Sequence, residues 1–71
     1  MRYLGVKIER ARKKLGLSQA ELGQRVGVSQ TAVCRWETGA KQPSLNNMLK
    51  LSTVLEIPMD YLLNDIADGI A

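Results

Sequence analysis

Short stretches with helical periodicity, each ended by a glycine or a proline, restrict the fold of this chain more than any other feature. Glycines at positions 16, 27 and 39 and prolines at 43 and 58 separate these stretches. No stretch alternates apolar and polar residues as a half-buried strand would. Since 71 residues can enclose one small core at most, the pattern predicts a single all-α domain over residues 1–71.

The first two helices are predicted from an apolar face and a capping motif. The face of the first helix consists of Leu4, Ile8, Ala11 and Leu15. Gly16 should end it, and Ser18 with Glu21 forms a capping box that starts a second helix. This helix should run to about Val26. Alanine in place of Gly23, in its interior, is expected to stabilise the domain by roughly 0.5–1 kcal/mol.

Three further helices follow from the same kind of signal. Ser29 can cap a third helix that ends near Thr38, and Ser44 can cap a fourth after the loop 40–43. The inward residues of the fourth helix are predicted to be Leu45, Met48, Leu49, Ser52 and Leu55. Pro58 suits the start of a short fifth helix, Met59 to Leu63. We expect residues 64–71 to form a frayed acidic tail.

The third helix has two chemically different sides. At about 100° per residue, Ala32, Val33 and Trp36 share an apolar stripe. The opposite face carries Gln30, Thr31, Cys34, Arg35 and Thr38. Gln and Arg can each make two hydrogen bonds to a purine edge, and Thr can contact a phosphate or a thymine methyl. This face therefore suits the major groove of DNA, the alternative being an ordinary solvated helix face.

Charge is distributed unevenly along the chain. Residues 1–50 hold all ten basic residues and three acidic ones, whereas residues 51–71 hold four acidic residues and no basic one. Such an imbalance indicates that one end of the molecule faces a polyanion.

Several classes of protein are disfavoured by composition. The chain has no histidine, which removes the commonest general base and metal ligand. A single cysteine, Cys34, can form neither an internal disulfide nor a zinc site. No apolar run is long enough to span a membrane, and no signal peptide is recognisable. We therefore expect no enzymatic activity, no cofactor, no metal, no membrane association and a reduced, cytoplasmic setting.

The stretch from Gln19 to Thr38, QAELGQRVGVSQTAVCRWET, resembles the helix-turn-helix of phage repressor and Cro-like regulators, the XRE-type family. The lead-in GLSQAEL, the turn at Gly27, the WETG sequence and the closing YLLN extend the resemblance over about residues 4–63. It implies a compact five-helix, lambda-repressor-like fold. In that fold the second helix lies across the DNA backbone and the third enters the major groove.

The resemblance also implies roles for individual residues. Positions that read bases or set the register are matched by Gln19, Gln30, Thr31 and Arg35. Arg12 and Glu37 match a structural ion pair between the first and third helices, and Ser29 matches a capping residue that approaches phosphate. Further phosphate contacts are expected from Arg10, Lys14, Arg25, Lys41, Gln42 and Ser44. Some relatives have an arginine that reaches the minor groove where this chain has Ser44, so minor-groove readout is not expected.

Together these features predict a sequence-specific regulator that binds double-stranded DNA, most simply a repressor bound as a homodimer to a palindromic operator. The acidic C-terminal third is the expected dimer side, with candidate contacts from Glu56, Ile57, Pro58, Met59 and Tyr61. An antitoxin, which would need a toxin protein as partner, and a restriction–modification controller use the same fold. A module that binds a protein through its third helix is the alternative from another class.

Overall fold

Five α-helices make up the part of the chain that the structure, a computed structural model, describes: residues 2–70, with side chains for residues 3–64. They are α1 (Arg2–Lys14), α2 (Gln19–Val26), α3 (Gln30–Thr38), α4 (Leu45–Leu55) and α5 (Met59–Ile70). The predicted all-α, five-helix fold is confirmed. Within the described residues, no helix has both the length and the apolar character needed to cross a bilayer.

Local side-chain contacts start α2, α3 and α4, as predicted. The backbone N–H of Glu21 donates to Ser18 Oγ at 3.0 Å, and the backbone N–H of Ser18 donates to Glu21 Oε1 at 2.9 Å, which completes the capping box. Ser29 and Ser44 each accept a hydrogen bond at 3.1 Å from the backbone N–H three residues further on. Such caps typically stabilise a helix by about 1 kcal/mol each.

Two helix ends differ from the prediction. α1 ends at Lys14, so Leu15 lies in the turn and is 39% exposed instead of belonging to the core. α5 continues to Ile70 and does not end at Leu63, because no glycine or proline interrupts the sequence before position 69. Residues 64–71 were predicted to form a frayed acidic tail. The side chains after position 64 lie outside the described part of the structure.

A single apolar core joins all five helices. Its buried members are Leu4, Ile8, Leu22, Val26, Val33, Trp36, Met48, Leu51, Leu55 and Leu62. The predicted inward face of α4 was wrong in part, since Leu45 is 64% exposed and Leu49 is 50% exposed, whereas Leu51 is fully buried. Around the helix, Leu45 and Leu49 lie on one side of Met48, and Leu51 and Leu55 lie on the other. Periodicity alone therefore allows either side to be buried. Packing against α1, α2 and α5 selects the face that contains Leu51.

Two glycines allow α3 to approach its neighbours closely. A Cβ atom on Gly23 would lie 2.7 Å from the carbonyl oxygen of Val28, in the turn between α2 and α3. The expectation that alanine is favourable at position 23 is therefore wrong, because the obstacle is backbone that cannot rotate away. A Cβ atom on Gly5 would lie 2.6 Å from the carbonyl oxygen of Trp36, so α1 and α3 touch at a point where no side chain fits.

Candidate nucleic-acid interface

The orientation of α3 agrees with the sequence prediction. Val33 is fully buried and Trp36 is 6% exposed, and both belong to the core. The side chains on the opposite face are all exposed: Gln30, Thr31, Cys34, Arg35 and Thr38. α3 packs on α1 and α2. Its polar face is therefore turned away from the interior.

The exposed face offers hydrogen-bonding groups and one positive charge. Gln30 has a carboxamide that donates and accepts, Thr31 has a hydroxyl, and Arg35 has a guanidinium with a fixed fork of donors. The Thr38 hydroxyl donates to the carbonyl oxygen of Arg35 at 3.3 Å, within the helix itself. Cys34 lies among these residues as an exposed free thiol. The face is short and polar, as readout of base edges in a major groove requires.

A buried ion pair fixes α3 to α1, as the family resemblance implied. Nε of Arg12 donates to Glu37 Oε2 at 2.7 Å, and Nη2 donates to Glu37 Oε1 at 3.0 Å, so the contact is bidentate. Nη1 donates to the carbonyl oxygen of Leu17 at 2.8 Å. The Arg12 side chain is 10% exposed and the Glu37 side chain 2%. The hydrogen bonds to Glu37 raise the pKa of Arg12, which keeps the guanidinium charged.

Gln19 is attached to the same ion pair. Its Nε2 donates to Glu37 Oε1 at 3.0 Å, so the first residue of α2 is connected through Glu37 to α1 and α3. Sequence spacing did not indicate this contact, because it joins three helices that only the fold brings together. The hydrogen bond orients the Gln19 side chain beside α3. A role in base reading stays a prediction for this residue.

The predicted phosphate-contacting residues fall into separate places. Ser29 and Ser44 cap α3 and α4, and Lys41 and Gln42 are exposed in the loop between these helices. The backbone N–H of Lys41 donates to the carbonyl oxygen of Arg35 at 3.2 Å, which folds the loop back onto the end of α3. The structure therefore brings this loop and the exposed face of α3 together.

Three other basic residues predicted to contact phosphate lie elsewhere. Arg10 and Lys14 line a groove between α1 and α5, together with Pro58 and Tyr61. Arg25 lines a different groove, between α2 and α4. Neither groove is lined by a residue of α3. Sequence charge alone could not separate these groups, because the three residues are all exposed and basic.

The residues proposed for the dimer side form one region near the start of α5. Glu56, Pro58 and Tyr61 are exposed, whereas Ile57 and Met59 are partly buried against the core. Lys7, which sequence analysis did not assign, belongs to this region. Its Nζ donates to the carbonyl oxygen of Tyr61 at 2.9 Å and lies 4.7 Å from the centre of the Tyr61 ring. These contacts link α1 to α5.

Comparison with known proteins places this geometry in a family. The helix-turn-helix family model matches residues 8–62. Repressor protein C2 of Salmonella phage P22 is 45% identical over 60 residues, which are 84% of this chain but 28% of that protein. Its crystal structure in complex with a synthetic operator has a TM-score of 0.80 at 44% identity and covers 83% of this chain and 89% of the other.

A second similar structure is that of a protein with a different role. The restriction–modification controller protein C.AhdI from Aeromonas hydrophila is 34% identical, with a TM-score of 0.80, over 86% of this chain and 92% of the other. The matched segment contains the capping box of α2, the Arg12–Glu37 pair and the whole of α3 described above. This chain belongs to the XRE-type helix-turn-helix family of DNA-binding proteins, to which phage repressors also belong.

Proposed function

We propose that this chain is a sequence-specific transcription regulator that inserts α3 into the major groove of double-stranded DNA. The observation that carries the proposal is the orientation of α3. Val33 and Trp36 are buried, which leaves Gln30, Thr31 and Arg35 exposed on the same side of the helix. The P22 repressor, which shares this fold, has been crystallised with an operator.

In this proposal affinity and sequence preference come from different groups. Arg35 and Gln30 discriminate bases through paired hydrogen bonds to purine edges. Lys41, Gln42 and the cap of α3 at Ser29 contact phosphates, which sets the register of the helix in the groove. The Arg12–Glu37 pair touches no base and serves to hold α3 at a constant angle to α1.

A homodimer on a palindromic operator completes the proposal. One α3 can reach only a few base pairs, so two copies related by a two-fold axis would read half-sites about 34–36 Å apart, one helical turn of DNA. The exposed residues Glu56, Pro58 and Tyr61 are the proposed contact surface. Bound to an operator within a promoter, such a dimer would act as a repressor by occupying the site.

A restriction–modification controller is the second candidate function. It is favoured by the similarity to C.AhdI, which is 34% identical with a TM-score of 0.80. Both candidates share the same mode of DNA binding. The position of the operator, next to restriction–modification genes or next to phage genes, would separate them. An antitoxin role stays a prediction that a search for a bound toxin would test.

Selection of bound duplexes from a random pool tests the proposal directly. The expected result is a palindromic motif whose half-sites are one helical turn apart. Arg35→Ala should relax the preference at one position per half-site by about 1–3 kcal/mol, whereas Lys41→Ala should weaken binding to all sequences alike. An unchanged motif for Arg35→Ala would contradict the base-reading role of α3.

Two controls accompany these variants. Lys50→Ala removes a positive charge from the exposed surface of α4, outside α3 and its following loop, so it should leave the motif and affinity nearly unchanged. Salt dependence gives the second control. Affinity for DNA should fall steeply with salt concentration, because phosphate contacts release counterions. A flat dependence would instead favour a protein-binding role for α3.

A further inference from the structure

An open groove between α2 and α4 lies outside both proposed surfaces. It has a volume of about 550 Å³ and contains no residue of α3 or α5. One side is formed by the C-terminal end of α2, with Arg25 and Gly27. The other is formed by the outer face of α4, with Leu49, Lys50 and Val54.

The groove combines apolar and positively charged groups. Leu49 is 50% exposed, and Val54 is partly buried against the core, so together they give the groove an apolar floor. Arg25 and Lys50, both exposed, place a positive charge on each side. All lining residues belong to the described part of the chain, and none of them is an aspartate or glutamate. The groove therefore matches a ligand with apolar side chains flanked by carboxylates.

The charge of the groove argues against the two occupants already considered. In a symmetric dimer formed through this groove the same positively charged surface would meet itself, so Arg25 and Lys50 of one copy would lie near the like charges of the other and be repelled. DNA would satisfy these charges, but it would bring phosphates against Leu49 and leave its apolar surface without a partner. An amphipathic helix that carries leucines on one face and glutamates beside them satisfies both requirements.

We infer that the α2–α4 groove is a docking site for an acidic amphipathic helix of another protein. The groove contains neither α3 nor the region around Pro58 and Tyr61. A chain bound to DNA, or paired with a second copy, would therefore still present it. The inference goes beyond the proposed function and does not depend on it, because the groove is present whether or not α3 binds DNA.

A designed peptide tests this inference. The probe is a helical peptide of about 16 residues, or about four and a half turns. It carries leucines along one face of the helix and glutamates over the rest of its surface. A scrambled peptide of the same composition, in which the leucines no longer share a face, is its control. In NMR titrations of the labelled protein, the probe should shift signals of Gly27, Leu49 and Thr53, and the scrambled peptide should not.

Two leucines of α4 provide a matched pair of variants. Leu49 lines the groove and is 50% exposed, whereas Leu45, 64% exposed on the same helix, does not line it. Leu49→Gln should weaken peptide binding about tenfold, which corresponds to about 1.4 kcal/mol, and Leu45→Gln should leave it unchanged. Both side chains are largely exposed, so both variants should fold. Lys50→Glu should also weaken binding, and less so in high salt.

Three results would overturn the inference. The first is a set of shifts that maps to the exposed face of α3 or to the α1–α5 groove instead of the α2–α4 groove. The second is equal binding by Leu49→Gln and the unchanged protein. The third is loss of DNA binding in Lys50→Glu together with no loss of peptide binding, which would place phosphate at this groove. DNA binding of Leu49→Gln is measured separately, so a failure of the proposed function is distinguishable.

Discussion

Replacing Glu37 by glutamine should remove a large part of the stability of this domain. The change preserves the shape of the side chain but leaves the guanidinium of Arg12, 10% exposed, without its carboxylate. Arg12 would retain the carbonyl oxygen of Leu17, and Gln19 would lose its charged acceptor. Since α1, α2 and α3 meet at this network, the effect should extend beyond a single pair.

The expected loss is about 3–5 kcal/mol, because removing one member of a buried pair leaves an uncompensated charge. A domain of this size has a total stability of about 4–11 kcal/mol at about 0.05–0.15 kcal/mol per residue. The change should therefore cost a large fraction of the total. At about 4–8 °C per kcal/mol, Tm should fall by about 12 °C or more.

Urea and thermal unfolding, followed by circular dichroism, measure this loss. Glu9→Gln is the matched control, because Glu9 pairs with Lys13 at 3.9 Å on the surface of α1, with side chains 45% and 65% exposed. Removing that pair should cost less than about 0.5 kcal/mol. Replacing both Arg12 and Glu37 by methionine should restore part of the stability lost by Glu37→Gln, because no unpaired charge remains.

Equal losses for Glu37→Gln and Glu9→Gln would refute this reasoning. So would a double methionine variant less stable than Glu37→Gln, since the cost would then lie in lost attraction and not in an unpaired buried charge.

Three other predictions concern helix ends and turns. Gly23→Ala should lower Tm, because its Cβ would lie 2.7 Å from a backbone carbonyl oxygen; an unchanged or raised Tm would contradict this. Glu56→Gly should raise the free energy of unfolding, measured in urea, by up to about 1 kcal/mol, since Glu56 ends α4 with a φ of 58° that side chains disfavour; no gain would mean that the cap is unstrained. A hydrogen bond from the backbone N–H of Ser18 lowers the pKa of Glu21. The ionised Glu21 side chain therefore stabilises the folded protein fully at pH values above its pKa in the unfolded chain, about 4.3, and this stabilisation is lost as the pH falls through its pKa in the folded protein. The stability difference between the protein and Glu21→Gln should therefore shrink at low pH; a constant difference from about pH 3 to about pH 7 would exclude this linkage.

The starts of α2, α3 and α4 and the orientation of α3 could be predicted from the sequence because their causes are local. Ser18, Ser29 and Ser44 cap helices through contacts with residues three positions away. Val33 and Trp36 are the large apolar residues of α3, so burial of either turns the opposite face outward. Neither result depends on which other helix completes the core.

The tertiary structure decided everything that depends on which helices meet. α4 has leucines on two sides of the helix. Only its packing against α1, α2 and α5 determines that Leu51 is buried in the core and that Leu49 lies exposed beside a groove. The cost of a methyl group at Gly23 depends on a turn five residues away in the chain. Arg10, Lys14 and Arg25 look alike in sequence, but they line two different grooves. Periodicity defines the faces of one helix, whereas the neighbour of each face is set by the packing of all five.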